Sequence, residues 1–386
     1  MALAPKLFAT VVAILCSVAV AGNSMPAEAT GSSANFGKWW IETAQAKRSQ
    51  RARNQKQDTV ANQSGAEAHL ARMTPSRPAA RCHHFGYEFA EHLTTHFQLM
   101  YRPQGISADI AGKTGELLEE AHRVFFEQFG EAGFALNAID TQLPWFVFND
   151  PSQYYDFARA ADGMDAASLE SYYAARSNRV VLMQAGGARS WNYHGQSGTN
   201  DAFESRAMSL AGMDPDHSWK GGAGDGLLDV RRTVHEAAHQ LAFNSGLQTR
   251  GVMYPLWVSE GLATNFESDT LAGIGVAGEN PPRQRQLLRA YASGRLMPLE
   301  DFITLVNIRP GGPYSANDLY AQSWAFFRFL FKTRQAALRE YLTTLAQLEP
   351  GPRSTYTMQQ EFTDAFGSLE RLEQAWNRYL MSLHRD

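Results

Sequence analysis

Two histidines four residues apart are the part of this 386-residue chain best suited to chemistry. His235 and His239 stand in the segment HEAAH, and Glu236 directly follows the first of them. Residues four apart lie on one face of a helix, so both imidazoles can bind a single metal ion. Glu236 lies about a hundred degrees further round the helix, where its carboxylate can take a proton from water activated by the metal. The spacing predicts a zinc-binding helix that carries its own general base.

The residues between and beside these groups predict how that helix is anchored. Apolar side chains recur at the spacing of a buried stripe, at Val234, Ala237, Ala238 and Leu241. Gly246 stands where the helix should end. Because the motif is short, two surface histidines on an ordinary amphipathic helix are the alternative interpretation.

A second segment, WVSEGLATNFE from Trp257 to Glu267, supplies a third ligand. Pro255 can start a helix here, and on that helix Glu260 and Glu267 would share one face. A catalytic zinc site takes three protein ligands and keeps one open position, and two histidines with one glutamate form an established set. Glu260, twenty-one residues after His239, fits the third ligand. Glu267, two turns further on, can accept a hydrogen bond from a ligand imidazole and fix its tautomer.

These segments resemble the gluzincin (peptidase MA-like) zinc metallopeptidases, in particular secreted bacterial HExxH proteins described only as a domain of unknown function. In zinc aminopeptidases of the same clan a similar W-x-x-E-G segment carries the third ligand, and a later tyrosine stabilises the oxyanion. The resemblance implies that Tyr320, in LYAQSW, has this catalytic role. It also implies Zn²⁺ as cofactor and a peptide or protein as substrate. It covers residues 85–385 in general layout and is specific only in these three segments.

One departure from the aminopeptidases bears on the reaction. The chain has no G-x-M-E-N segment ahead of the zinc helix, which in those enzymes holds the free amino end of the substrate. We therefore expect an endo-acting peptidase. The alternatives are a non-catalytic zinc- or peptide-binding envelope protein on the same scaffold, and a metal site that only stabilises the fold.

The first eighty residues predict export and a tether. Residues 1–21 combine Lys6, an apolar run and the small residues Ala19-Val20-Ala21, which is the pattern of a signal peptide. This predicts a periplasmic or secreted protein. Residues 22–80 predict a disordered polar linker, since 38–81 holds nine Lys or Arg against three Asp or Glu. Contact of Trp39-Trp40 with a membrane surface is the alternative for one part of it.

Composition excludes some partner classes. A formal net charge of -4 gives no basis for a nucleic-acid surface. No stretch after the signal peptide approaches the length of a membrane span, so we expect no stable membrane insertion. Cys82 would be the only cysteine of the mature chain, which excludes an internal disulfide. The oligomeric state is left open.

Residues 81–386 predict one α+β domain, which the resemblance makes zincin-like. We expect a small N-terminal mixed sheet with helices, then the zinc-binding helix, then a mainly helical C-terminal part. The periodicities predict strands at 95–101, 143–148 and 178–183, and helices at 114–129, 152–159, 284–292, 317–332, 336–348 and 368–383.

Two further features have more than one interpretation. Residues 185–226 predict a Gly-rich loop, which is either a lid over the site or a neutral surface insertion. Histidine and cysteine also cluster near the start of the domain. They form either a second metal site or ordinary exposed and strand-edge side chains, at Cys82, His83, His84, His92 and His96.

Overall fold

The computed structural model describes residues 81–166, 169–184, 229–268, 273–308 and 312–383. The predicted signal peptide, the predicted linker and the predicted loop at 185–226 lie outside the described residues. Across the described ranges, no helix combines the length and the apolar character that a bilayer crossing requires.

A six-stranded mixed sheet forms the N-terminal part of the domain. The strands are β1 (Arg81–His84), β2 (Tyr87–Leu93), β3 (Phe97–Tyr101), β4 (Leu143–Phe148), β5 (Ser171–Ala174) and β6 (Arg179–Met183). Their spatial order is β1-β2-β3-β4-β6-β5. The central pairs β3–β4 and β4–β6 are parallel, and the pairs β1–β2, β2–β3 and β5–β6 are antiparallel.

Helices dominate the rest of the described chain, so the predicted α+β class, with its mixed sheet first and its helices after, is confirmed. The helix at Pro151–Phe157 continues into a π-helical turn at Ala158–Asp162. The helices are α1 (Ala108–Glu131), α2 (Pro151–Phe157), α3 (Val230–Asn244), α4 (Leu256–Thr264), α5 (Pro281–Ala292), α6 (Leu299–Phe302), α7 (Ala316–Thr333), α8 (Gln335–Gln347), α9 (Thr355–Phe366) and α10 (Leu369–Leu383).

The alternation of side chains along β4 separates two hydrophobic clusters. Trp145 and Val147 face the larger cluster, which the sheet shares with α1, α3 and the C-terminal helices. Phe146 and Phe148 face the smaller cluster, where α2 covers the opposite side of the sheet. Successive residues of a strand point to opposite faces, so one strand anchors both layers. Helix α3 contacts strands β5 and β6 of the sheet as well as helices α1 and α4.

Helix α4 is buried along its whole length, since each of its nine residues is buried. Gly261 lies directly against α7. A Cβ atom at Gly261 would lie 2.6 Å from the Ser323 carbonyl oxygen and 2.9 Å from the Phe327 Cβ. Only a residue without a side chain permits this contact between the two helices.

Several elements were not predicted from the sequence. β1 and β2 are rich in polar and charged residues, and β5 has only four residues, so none of them has a sustained apolar alternation. Helix α9 buries only Met358 and Phe362, and α6 is a single turn. The three strands are stabilised by pairing with their neighbours in the sheet, which side-chain periodicity alone does not indicate.

We expect Gly261→Ala to destabilise the protein by about 1–3 kcal/mol, because the added methyl group overpacks the contact between α4 and α7. Gly130→Ala is the matched control: Gly130 lies in helix α1, and an added Cβ there meets nothing within 4 Å. The control should be neutral or stabilising by up to about 1 kcal/mol. Denaturant unfolding measures both. Equal stability of the two variants would contradict the close approach.

Candidate metal centre

Helix α3 carries the two histidines on a firmly anchored body. Asp229 caps its N-terminus by accepting a hydrogen bond of 2.9 Å from the Arg232 amide. Its apolar stripe, which includes Val234 and Leu241, is fully buried in the larger cluster. The helix ends at Asn244, and Gly246 follows with φ 81, in the left-handed region that glycine adopts without strain. The predicted helix and its end are confirmed.

A polar contact also ties the same helix to the sheet. The Trp145 indole N–H donates to Gln240 Oε1 at 2.7 Å. The amide nitrogen of the same side chain, Gln240 Nε2, donates to the Asn178 carbonyl oxygen at 3.0 Å. Trp145 lies on β4, and Asn178 precedes β6. Since both groups are buried or partly buried, these bonds fix the helix relative to two strands.

Three predicted ligands converge. The Nε2 atoms of His235 and His239 lie 3.2 Å apart. Glu260 Oε2 lies 3.4 Å from His235 Nε2, and Glu260 Oε1 lies 3.6 Å from His239 Nε2. All three side chains are buried, with exposed fractions of 8 %, 1 % and 0 %. Among the described residues, these are the three His, Cys, Asp or Glu side chains whose ligand atoms lie close enough together, within 4.8 Å, to hold one metal ion.

The donor atoms of this group fit a metal ion. Both carboxylate oxygens of Glu260 are buried and have no hydrogen-bond partner. A buried acceptor without a partner costs about 1–3 kcal/mol, and more when it is charged. A cation held by two imidazole nitrogens and one carboxylate would remove this cost, and two histidines with one glutamate suit zinc.

Glu267 contacts Nδ1 of His235, the ring nitrogen that does not face His239 and Glu260. Its Oε1 is 3.0 Å from His235 Nδ1. The sequence placed Glu267 on the same helix as Glu260, but α4 ends at Thr264, with Asn265 as its C-cap. Asn265 donates to the carbonyl oxygens of Gly261 and Trp324, which stabilises the helix end there. Glu267 therefore reaches His235 from the segment after the helix.

Two side chains at the start of α5 hold Glu267, and neither was predicted from the sequence. Arg283 donates from Nε to Oε2 at 2.9 Å and from Nη2 to Oε1 at 2.8 Å. Asn280 Nδ2 donates to Glu267 Oε2 at 3.2 Å, and Asn280 Oδ1 accepts from the Arg283 amide as the N-cap of α5. The spacing of Arg283 from Glu267 follows no helical period, so only the fold brings them together.

The charges of these groups perturb one another. Burial alone would lower the pKa of His235, but the neighbouring carboxylates of Glu260 and Glu267 outweigh it and raise that pKa to about 10. Burial alone would raise the pKa of Glu260, but His239 and His235 lower it. Burial likewise opposes ionisation of Glu267, but Arg283 and His235 lower its pKa. Both glutamates are thus ionised at neutral pH.

Glu236 lies beside the ligands and is held on one side only. Ser171 Oγ donates to Glu236 Oε1 at 2.8 Å, whereas Oε2 is buried and has no hydrogen-bond partner. Ser171 begins β5, the edge strand that the sequence did not predict. It lies sixty-five residues before Glu236, so no local pattern connects them. One oxygen of the predicted base is thereby oriented and the other is free.

Tyr320 lies on the first turns of α7, close to the same carboxylates. Burial raises its pKa well above the usual range, and the charge of Glu260 raises it further, while Arg283 opposes this. The Arg283 Cζ atom lies 5.4 Å from the centre of the Tyr320 ring, within the range of a cation–π contact. The hydroxyl is therefore protonated at neutral pH.

The cysteine and histidine cluster near the start of the domain does not form a comparable centre. His96 Nδ1 lies 2.6 Å from Glu119 Oε2, and the His96 ring stacks on His122. His84 packs edge-on against Phe146. These side chains lie at or near strands and contact helix α1 or the sheet, which is the ordinary structural alternative.

Residues 229–351 match a family described as a protein of unknown function (DUF1570). No curated protein matches the chain. Ser171 lies outside the matched segment. The other side chains of the candidate site lie within it, namely His235, Glu236, His239, Glu260, Glu267, Asn280, Arg283 and Tyr320.

We expect the purified protein to contain one zinc ion per chain, and His239→Ala and Glu260→Gln to lose most of it, because each removes one of three ligands. Inductively coupled plasma emission measures the zinc content. His92→Ala is the control, since His92 lies on β2, outside the ligand group. Equal zinc in wild type and in both ligand variants would refute this metal site.

Proposed function

We propose that the protein is an exported zinc-dependent peptidase of the gluzincin type, with a zincin-like fold, that cleaves peptides internally. The observation that carries this proposal is the free Glu236 oxygen beside the group of His235, His239 and Glu260. Zinc held by these three ligands would polarise a carbonyl group and make water more acidic. Side chains of the protein would supply the general base and the hydrogen-bond donor to the oxyanion.

Glu236 would act as general base. Ser171 holds Oε1, so the carboxylate cannot rotate freely, and Oε2 is left as the oxygen that accepts a proton from the attacking water. A positioned carboxylate of this kind typically contributes 10²–10⁴-fold to a rate, by order of magnitude. After attack, the same carboxyl group can pass its proton to the leaving amine.

Tyr320 would donate a hydrogen bond to the developing oxyanion. Its raised pKa keeps the hydroxyl protonated, which a donor requires. Arg283 packs on its ring and limits the positions that the ring can take. A donor fixed before the reaction stabilises charge that appears only in the transition state.

The competing function is a non-catalytic zinc- or peptide-binding envelope protein on the same scaffold. Zinc binding alone does not require Glu236. In a protein that only binds zinc, the buried and unpaired Oε2 of Glu236 would destabilise the fold without contributing to function. This observation favours the enzyme. Internal cleavage is supported by the missing G-x-M-E-N segment, and export by the pattern of residues 1–21.

Glu236→Gln tests the enzyme against the binding protein. We expect turnover to fall by at least about 10²-fold with zinc content unchanged, because the amide keeps the shape and cannot accept the proton. A peptide library digested with and without chelator, and read by mass spectrometry, supplies the substrate. Acetylated peptides should be cut as well as free ones.

The control for Glu236→Gln is Glu119→Gln, which removes a partly buried carboxylate that bonds His96, away from the metal centre. It should leave turnover unchanged. Zinc-bound wild type that cleaves no peptide would favour the binding protein. Stepwise loss of residues from free amino ends, blocked by acetylation, would contradict internal cleavage.

Tyr320→Phe should lower turnover by about 10²–10³-fold with little change in KM, because it removes one oxyanion donor and keeps the ring. Zinc content and melting temperature should stay close to wild type. Tyr314→Phe is the matched variant, a partly buried tyrosine ahead of the same helix. If Tyr314→Phe carries the loss instead, the donor is Tyr314 and not Tyr320.

A further inference from the structure

Arg283 holds the carboxylate that contacts a metal ligand. Its guanidinium makes two parallel hydrogen bonds to Glu267, of 2.9 Å from Nε and 2.8 Å from Nη2. The side chains of Arg283 and Glu267 are only 18 % and 8 % exposed. Two parallel bonds fix the plane of a carboxylate, which one bond does not. The plane of Glu267 is therefore set by Arg283.

The orientation of the Glu267 carboxylate determines the tautomer and the ring orientation of His235. Both oxygens of Glu267 already accept N–H bonds from Arg283, so Nδ1 of His235, 3.0 Å from Oε1, is placed as a further donor to this carboxylate. The neutral imidazole then has its proton on Nδ1 and a free lone pair on Nε2. Nε2 is the atom that faces His239 and Glu260. Only this tautomer and ring orientation can bind a metal at the centre.

We propose that Arg283 is a positioning residue of the metal centre, which acts through Glu267 to aim the His235 Nε2 lone pair at the metal. The inference rests on the metal site of the proposed function, but not on peptide cleavage. Asn280 supports the same carboxylate by one bond of 3.2 Å. That single bond cannot set the plane that the two bonds from Arg283 set.

A purely structural role is the competing explanation. In that case the Arg283–Glu267 pair fastens α5 to the segment after α4, and its loss lowers stability without changing the metal centre. Metal affinity separates the two, because partners of metal-ligating histidines typically contribute about 10–100-fold to it. Lysine tests the geometry, because an ammonium group keeps the charge but not the planar fork.

The experiment measures Zn²⁺ affinity by competition with a chromogenic chelator, and the visible absorption spectrum with Co²⁺ bound. We expect Arg283→Met and Arg283→Lys to bind Zn²⁺ about 10–100-fold more weakly than wild type, and to show an altered Co²⁺ spectrum. Glu267→Gln should lose a similar factor. The double variant Arg283→Met/Glu267→Gln should lose no more than the worse single variant, because both act through one path.

Arg295→Met is the matched control. Arg295 also pairs with a buried carboxylate, that of Asp318, at 3.1 Å, but it contacts none of the ligands. It should keep wild-type Zn²⁺ affinity whatever its stability. If Arg283→Met does not fold, Arg283→Lys and Glu267→Gln decide the question alone.

The outcomes are distinct. Unchanged Zn²⁺ affinity and Co²⁺ spectrum in Arg283→Lys, or additive losses in the double variant, would overturn the role of Arg283 while leaving the metal site intact. Wild type that binds neither metal would refute the metal site itself, and with it the proposed function.

Discussion

The burial of three glutamates around one site is the constraint on which the rest of this structure depends. Glu236, Glu260 and Glu267 are only 2 %, 0 % and 7 % exposed. Like charges in a poorly solvated site repel, and each must be matched by donors or by positive charge. Arg283 matches Glu267, Ser171 donates to Glu236, and a divalent ion at Glu260 would supply the remaining positive charge. The surrounding helices supply the positions at which this balance is possible.

Each element contributes one or more side chains to the site and is held in place by contacts outside the site. Helix α3 brings the histidines and the base, and is tied to the sheet through Gln240. Helix α5 brings Arg283 at its first turn, where Asn280 both caps the helix and bonds Glu267. The edge strand β5 brings Ser171 to the base. With Glu260 on α4 and Tyr320 on α7, the site is assembled from five elements.

The sequence predicted the parts of this site that repeat with a helical period. His235, His239 and the apolar stripe of α3 follow from local spacing, and the structure brings Glu260 to them as expected. The contact of Glu267 with His235 was also expected, but from a longer helix than the one that forms, because Asn265 ends α4 early. Ser171, Asn280 and Arg283 could not be predicted, since their contacts depend on how separate elements pack and leave no local pattern. The strands β1, β2 and β5 were missed for a similar reason: they are short or polar and are stabilised by their partners.

The contact at Gly261 has a mechanical consequence. Gly261 directly follows Glu260, and its closest neighbour, the Ser323 carbonyl, lies one turn along α7 from Tyr320. Backbone packed on backbone at this distance leaves no room for the two helices to slide, so Glu260 and Tyr320 belong to one rigid body. His235, Glu236 and His239 stand on α3, which packs in the same hydrophobic cluster as α4 and α7. A metal bound by Glu260 and by the two histidines would therefore join α3 to the α4–α7 pair and oppose any sliding of one against the other.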